Sequence, residues 1–305
     1  VLYKYAETPR FFEEGLIRFT QPDALNDPDE ARPRVQVNAY SEEDISNAYA
    51  QAKNSEISTD DTIIDDEFVK NFFLTPFPSA RMDEKSFPGL WPAREPRLRN
   101  KPFETLEELD QAIAERALEL SVAIANNTIG ILSLSRSEAS PMWAHYGGDH
   151  KGVSIAFDDK HPDFQANVRA IEYSDLPTYV TSNHGVIRIC GVELQKEDIL
   201  NGNMPNIPEE IFFRKMASWA YEKEWRQIRS LRDSDYVVKQ DGKLDIHLFR
   251  ISPVAVKELC FGLKASNDFV RSGIELLKGR EIWDHIRIYR QERRPTGEIV
   301  KVQVS

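Results

Sequence analysis

A chain of 305 residues, 41% hydrophobic and 29% charged, has enough apolar material for one substantial core or two small ones and enough charge for a hydrated surface. No run approaches the roughly 20 apolar residues that a bilayer crossing needs, and Val1-Leu2-Tyr3-Lys4-Tyr5 lacks a basic region followed by a long apolar stretch, so the sequence reads as cytoplasmic with no membrane partner. A net charge of -11 argues against nucleic acid bound over the whole surface, leaving only a local basic stretch, Arg287, Arg290, Arg293, Arg294 and Lys301, whose plainer reading is a solvated strand face.

Taken in chain order, residues 2–5 alternate as a half-buried strand, and 16–19 read as a second strand closed by the turn-rich 21–28. In that loop Asn26 and Asp27 before Pro28 predict an Asx-type turn, with side chains bonded to nearby backbone. Residues 29–102 read as an acidic, partly irregular insertion of short helices and connectors, and the proline-rich 76–102 has the composition of a lid or binding loop. Thr105 and Glu108 form a capping box ahead of an apolar stripe, Leu106, Leu109, Ile113, Ala117, Leu120 and Ile124, which predicts a helix.

The apolar run 129–135 predicts a buried strand, and strands are expected at 153–157 and 168–173. A second helix is expected from Asn206 and Pro208 through Ile211, Phe212, Met216 and Trp219 to Glu222, followed by a strand at 225–231. Strands at 245–250 and 254–261, a helix capped by Ser266 and ending at Gly279, and a hairpin of 286–289 with 299–304 complete the chain. The expected fold is a single α+β domain over residues 1–305, a mixed, mainly antiparallel sheet with packed helices and an irregular N-terminal insertion. Cys190 and Cys260 lie in apolar strand-like contexts without a CxxC spacing, and read as buried free thiols.

Three short runs concentrate residues that carry chemistry. In 129–135 the pleat turns Ser133 and Ser135 to one face, where a hydroxyl pair can bind a ribose or a carbonyl or simply cap an exposed sheet face. Met142-Trp143-Ala144-His145-Tyr146 reads as a loop before Gly147-Gly148 that walls a pocket, with His145 either a general base or a hydrogen-bonded structural histidine. His145 and His150 have no Cys or carboxylate at a fixed ligand spacing, so no metal site is expected. Glu222 and Glu224 flank Lys223 at a helix-to-strand junction. Such a pair serves glycosidic cleavage, one carboxylate stabilising developing positive charge while the other orients or deprotonates a nucleophile; the structural alternative is an ion-pair network with Lys215, Arg226 and Arg229.

The runs Leu2-Tyr3-Lys4-Tyr5, Leu25-Asn26-Asp27-Pro28, Leu132-Ser133-Leu134-Ser135, Met142-Trp143-Ala144-His145-Tyr146 with Gly152, and Trp219-Ala220-Tyr221-Glu222-Lys223-Glu224-Trp225-Arg226 resemble, in order, a bacterial family of uncharacterised proteins, domain of unknown function 2971. The chain also resembles the ADP-ribosyltransferase superfamily, which pairs a basic residue on an early strand with a Ser-x-Ser on a middle strand and a late Glu-x-Glu. The matching positions are Lys4, Ser133 with Ser135, and Glu222 with Glu224, although the superfamily usually has Arg or His where this chain has Lys4. That resemblance implies NAD as substrate, Glu224 supporting an oxocarbenium-like transition state at the nicotinamide ribose, Glu222 positioning an acceptor macromolecule of unknown identity, and a toxin or defence role.

The expected cleft gathers Glu224, Glu222 and His145 as catalytic residues, with Tyr3, Lys4, Ser133, Ser135, Trp143, Tyr146 and Arg226 around a nucleotide-like small molecule. Two other functions fit the same runs. One is a metal-independent nuclease in which His145 and Glu224 exchange protons and Arg226 or Lys215 steadies phosphate charge. The other is a sensor in which Trp143, Tyr146, Trp219 and Trp225 stack on a nucleotide or base without chemistry.

Overall fold

Every residue of Val153–Phe157 is buried, so this strand lies inside a sheet covered on both faces. The computed structural model describes residues 1–27, 30–39, 41, 43, 106–165, 167–183, 186–193 and 208–304. The lid expected at 76–102 and the capping Thr105 lie outside the described residues. Backbone contacts divide the chain into two units, Val1–Glu30 with Asn126–Leu176 and Phe212–Ser305, and Ala31–Ala125 with Pro177–Ile211.

The first unit is built on eight strands: β1 (Leu2–Ala6), β2 (Ile129–Ser135), β3 (Val153–Phe157), β4 (Val168–Ala170), β5 (Glu224–Ser230), β6 (Val256–Phe261), β7 (Arg287–Arg293) and β8 (Ile299–Gln303). Their order across the sheet is β8-β7-β6-β3-β1-β2-β5-β4. Neighbours are antiparallel except β6 and β7, which are parallel and joined through the helix Asn267–Lys278, the crossover that a parallel pair needs. Ser266 caps that helix by accepting from the Phe269 amide at 3.2 Å, and Gly279 ends it, as the sequence predicts. The fold is therefore α+β with a mainly antiparallel sheet.

The main core takes Leu2, Phe12, Phe19, Leu132, Ile155, Phe157, Phe249, Phe261 and Trp283. Trp283 donates its indole N–H to the Phe12 carbonyl at 3.0 Å, which satisfies the one polar atom that its burial would otherwise strand. A smaller cluster holds Tyr5, Met142, Trp143 and Cys260. Cys260 is buried there and its thiol is pushed up to about 12 by that burial, whereas Cys190 is only half-buried, and neither forms a disulfide.

Two sequence expectations change. Residues 142–146 belong to a helix, Ser140–Tyr146, with Pro141 in its first turn, rather than to a loop. The helix expected up to Glu222 is instead a 3-10 turn Glu209–Phe212, a strand Arg214–Lys215 and a 3-10 helix Ala217–Glu222. Ile211, Phe212 and Phe213 are buried in succession, which no single helix face can achieve, and the extended pair Arg214–Lys215 lies parallel to Glu172–Tyr173. A third sheet joins Leu16–Phe19, Ile246–Arg250 and Tyr236–Val238.

In the second unit the strands Val192–Glu193, Val186–Ile189, Tyr179–Asn183 and Arg34–Val37 form a sheet in that order. The helix foreseen from the apolar stripe runs over Leu106–Thr128. No described helix is long and apolar enough to cross a membrane.

Close packing between β1 and the start of β3 demands glycine at position 152. A Cβ there would stand 2.2 Å from the Ala6 carbonyl oxygen and 3.0 Å from that of Gly147. Gly152→Ala is expected to lower unfolding free energy by about 3 kcal/mol in a urea titration. Gly279→Ala, whose Cβ meets nothing nearer than 3.5 Å, should stay within about 0.5 kcal/mol of the parent.

Candidate functional site

Strands β1 and β2 meet through one residue pair, Tyr3 with Ser135, and separate beyond it. The separation leaves the Ser133 carbonyl without a strand partner on that side, and Lys4 fills the role by donating from Nζ at 3.1 Å. A cavity of about 230 Å³ opens at this splay. Register then decides which side chains share its wall. Ser135 lies opposite Tyr3 and Glu224, and Ser133 lies opposite Arg226, so these residues project from one face of the sheet.

The carboxylates arrive through a backbone reversal. Lys223 has φ 45, a left-handed conformation between the 3-10 helix and β5, and it turns Glu222 and Glu224 to the same ammonium. Lys215 Nζ lies 2.8 Å from Glu222 Oε2, 3.2 Å from Glu224 Oε2 and 3.6 Å from Glu30 Oε2. Arg226 holds Glu224 with two nitrogens, Nε at 2.7 Å and Nη2 at 3.1 Å, pairs with Glu30, and donates from Nη1 to the Phe212 carbonyl at 2.7 Å. Lys215, Glu30, Glu222, Glu224 and Arg226 are all buried, which makes this a dry network. The ion-pair alternative for the glutamates is thus present with Lys215 and Arg226. Arg229 instead lies over the Phe19 ring, 5.2 Å from its centroid.

Neutral donors complete the rim. Tyr146 donates to Glu222 Oε1 at 2.5 Å and accepts from Asn26 Nδ2 at 2.9 Å. The Asn26 side chain is therefore aimed at Tyr146 rather than at the nearby backbone of the predicted turn. That loop is pinned by Asn126, whose side chain accepts from the Asp23 amide at 2.9 Å and donates to the Asp23 carboxylate at 2.6 Å. Ser135 Oγ donates to the Glu222 carbonyl at 2.5 Å and accepts from the Ser137 amide at 2.8 Å, fixing the end of β2. Tyr173 accepts from the Glu224 amide at 2.7 Å.

Electrostatics follow from burial and from these partners. Burial alone would lower the Lys215 ammonium, but Glu224 and Glu222 overturn that and hold it above the ordinary lysine range. Burial raises the Glu224 carboxyl, with Lys215 and Ser133 opposing the rise. The Tyr146 hydroxyl is raised by burial and then by its bond to Glu222. Lys4 forms no ion pair among the described residues, and burial pushes its ammonium down to about 8. It supplies the cavity with a cation, or at higher pH an amine, that no carboxylate of the described residues has taken.

Of the residues expected at the site, Tyr3, Lys4, Ser133, Ser135, Tyr146, Glu222, Glu224 and Arg226 line this one cavity, with Tyr5, Thr20, Asn26, Glu30, Met142 and Lys215 beside them. Trp143 and His145 do not. Trp143 is 1% exposed and packs edge-on against Tyr5 in the small core cluster, so it serves the fold. His145 lies on the exposed side of its helix, and its nearest rings are those of Tyr146, Tyr221 and Trp219. Glu30 gave no sequence signal, since it follows Asp29 in an acidic stretch that reads as solvated. No group of His, Cys, Asp and Glu able to hold a metal ion occurs among the described residues. The C-terminal basic stretch is also spoken for: Arg287 pairs with Glu258, Arg290 bonds Asn267, Arg293 bonds the Gly297 carbonyl, Arg294 pairs with Glu298, and Lys301 pairs with Glu138 and Glu258.

Residues 142–227 match the model of a family described as Protein of unknown function (DUF2971), which bears out the family resemblance over that segment. The match takes in Met142, Tyr146, Lys215, Glu222, Glu224 and Arg226, so much of the cavity wall comes from the matched stretch. No curated protein and no solved structure matches the chain.

Two outcomes follow from the charge arrangement. Lys215→Met removes the ammonium shared by three carboxylates and should cost about 3–5 kcal/mol of stability at pH 7. Stranded carboxylates have folded-state pKa values above their unfolded ones, so urea titrations should show part of that loss returning as pH falls toward 5. Lys4 behaves with the opposite sign. Its folded value of about 8 lies below the ordinary 10.5, so the cost of holding it charged is full below pH 8 and fades as pH rises to 10.5. Lys4→Met loses that cost together with the bond to the Ser133 carbonyl, so in urea titrations its stability relative to the parent should be highest below pH 8 and fall between pH 8 and 10.5.

Proposed function

We propose that this chain, which carries the DUF2971 segment, cleaves the nicotinamide glycosidic bond of NAD in the manner of an ADP-ribosyltransferase. One observation supports this reading above the others. A basic residue on β1, a serine pair on β2 and a Glu-x-Glu that leads into β5, with Glu224 on that strand and Glu222 at the end of the 3-10 helix before it, line one cavity.

The chemistry asks for what that wall offers. As the bond from the ribose anomeric carbon to the ring nitrogen breaks, its electron pair neutralises the pyridinium and positive charge builds on the sugar. In this reading Glu224, in its ionised form and paired with Arg226 and Lys215, provides a negative charge near the sugar and needs no reorganisation to do so. Glu222 orients the incoming nucleophile, its own position set by Tyr146 and Lys215. The nucleophile bonds to the anomeric carbon and gives up its proton to a carboxylate or to solvent. In this reading Ser133 binds the ribose hydroxyls and Lys4 the phosphate side of the ligand, both from the wall of the cavity.

One observation favours a second reading, a nucleotide sensor without turnover. Both site carboxylates are already satisfied by the protein's own cations, an arrangement that binding alone also explains. The nuclease pairing has no such support, because His145 does not line the cavity with Glu224.

The test is release of nicotinamide from NAD, with binding followed separately by calorimetry. The transferase reading expects Glu224→Gln to keep NAD binding while release falls by at least about 100-fold. NAD binding without release by the parent protein would favour the sensor, and no NAD binding would remove the transferase reading.

A further inference from the structure

We infer that His145, Trp219 and Tyr221 form a second subsite beside the cavity, an aromatic shelf for the flat heteroaromatic base of a ligand whose sugar end enters the cavity. The inference rests on the reading of the cavity as a nucleotide site and adds where the far base is held.

The rings come from two elements that both end at the cavity, the helix Ser140–Tyr146 and the 3-10 helix Ala217–Glu222. Trp219 and Tyr221 have centroids 6.1 Å apart with planes 34° from parallel, and His145 stands 6.2 Å from Tyr221 at 37°. His145 is exposed, and Trp219 and Tyr221 are half-buried. Tyr221 also packs against the small core cluster, but His145 and Trp219 are not part of that packing, so the core does not account for their standing beside it.

Contacts join the shelf to the charged floor. Lys215 Nζ lies 4.8 Å from the centroid of the Trp219 ring while it also binds Glu222. His145 stands 6.2 Å from the ring of Tyr146, which itself lines the cavity. Size gives the reason for a second subsite. A cavity of about 230 Å³ is below the roughly 300–1,000 Å³ of sites that enclose a drug-sized ligand, so a dinucleotide must leave part of itself outside. A base emerging past Tyr146 meets rings on which any base can stack, since stacking does not depend on base identity.

The experiment measures binding of NAD, nicotinamide mononucleotide and AMP to the parent, to Trp219→Ala, and to His145→Ala, whose exposed side chain can be removed with little effect on folding. Thermal melts check that each variant is folded, and Trp219→Phe, which keeps a ring, is the rescue. The shelf predicts NAD binding about tenfold weaker or more in Trp219→Ala, a smaller loss in His145→Ala, recovery in Trp219→Phe, and little change for nicotinamide mononucleotide, which lacks the second base. Equal loss for both nicotinamide ligands would overturn the shelf and leave the cavity reading in place, as would NAD binding unchanged in both alanine variants. If the parent binds AMP but not NAD and Trp219→Ala abolishes AMP binding, the shelf stands and the glycosidic reading falls. If the parent binds neither, both fall. Should Trp219→Ala fail to fold, His145→Ala with Trp219→Phe decides: the shelf requires a weakening for NAD that nicotinamide mononucleotide does not show in His145→Ala, and its absence overturns the shelf.

Discussion

A buried lysine facing three carboxylates organises this molecule. Burying an ammonium is expensive, and Lys215 is tolerated only because Glu222, Glu224 and Glu30 converge on it. Each of those carboxylates is in turn an obligation. Glu224 requires the two-nitrogen grip of Arg226, Glu222 requires Tyr146, and Tyr146 is joined to Asn26 in the loop pinned by Asn126. The network ties β5, the 3-10 helix before it, the helix Ser140–Tyr146 and the loop after Phe19 into one arrangement around the cavity.

The same constraint explains local structure that propensity alone does not. Residues 208–222 have helical spacing, yet Lys215 lies in a short extended piece against Glu172–Tyr173, flanked by 3-10 turns. Lys223 adopts a left-handed conformation, which costs about 1 kcal/mol or more for a non-glycine residue, and that reversal turns the two glutamates to one point. Backbone strain and charge convergence meet at the same three residues.

Much of the fold was legible because its signals are local. Alternation places β1, a short apolar run places β2, and Ser266 and Gly279 mark the helix ends as their side chain and backbone dictate. The strands at 34–37 and 179–193 were not foreseen, because they are short, in part polar, and depend on partners distant in sequence. At the site, Lys4, Ser133, Ser135, Tyr146, Glu222, Glu224 and Arg226 could be picked out as polar residues inside structural runs. Glu30 could not, since an acid in an acidic stretch is ordinary until a buried cation is seen opposite it. Trp143 misled for the converse reason: an indole inside a polar run looks poised for a ligand, whereas here it fills the small cluster with Tyr5 and Cys260.

The most direct test of the account is a crystal structure of the protein with NAD bound. The expected result is the nicotinamide ribose inside the cavity, between Ser133 on β2 and the Glu222 and Glu224 carboxylates, with Lys4 toward the phosphates. NAD located elsewhere on the molecule, or a cavity still empty at saturating NAD, would contradict it.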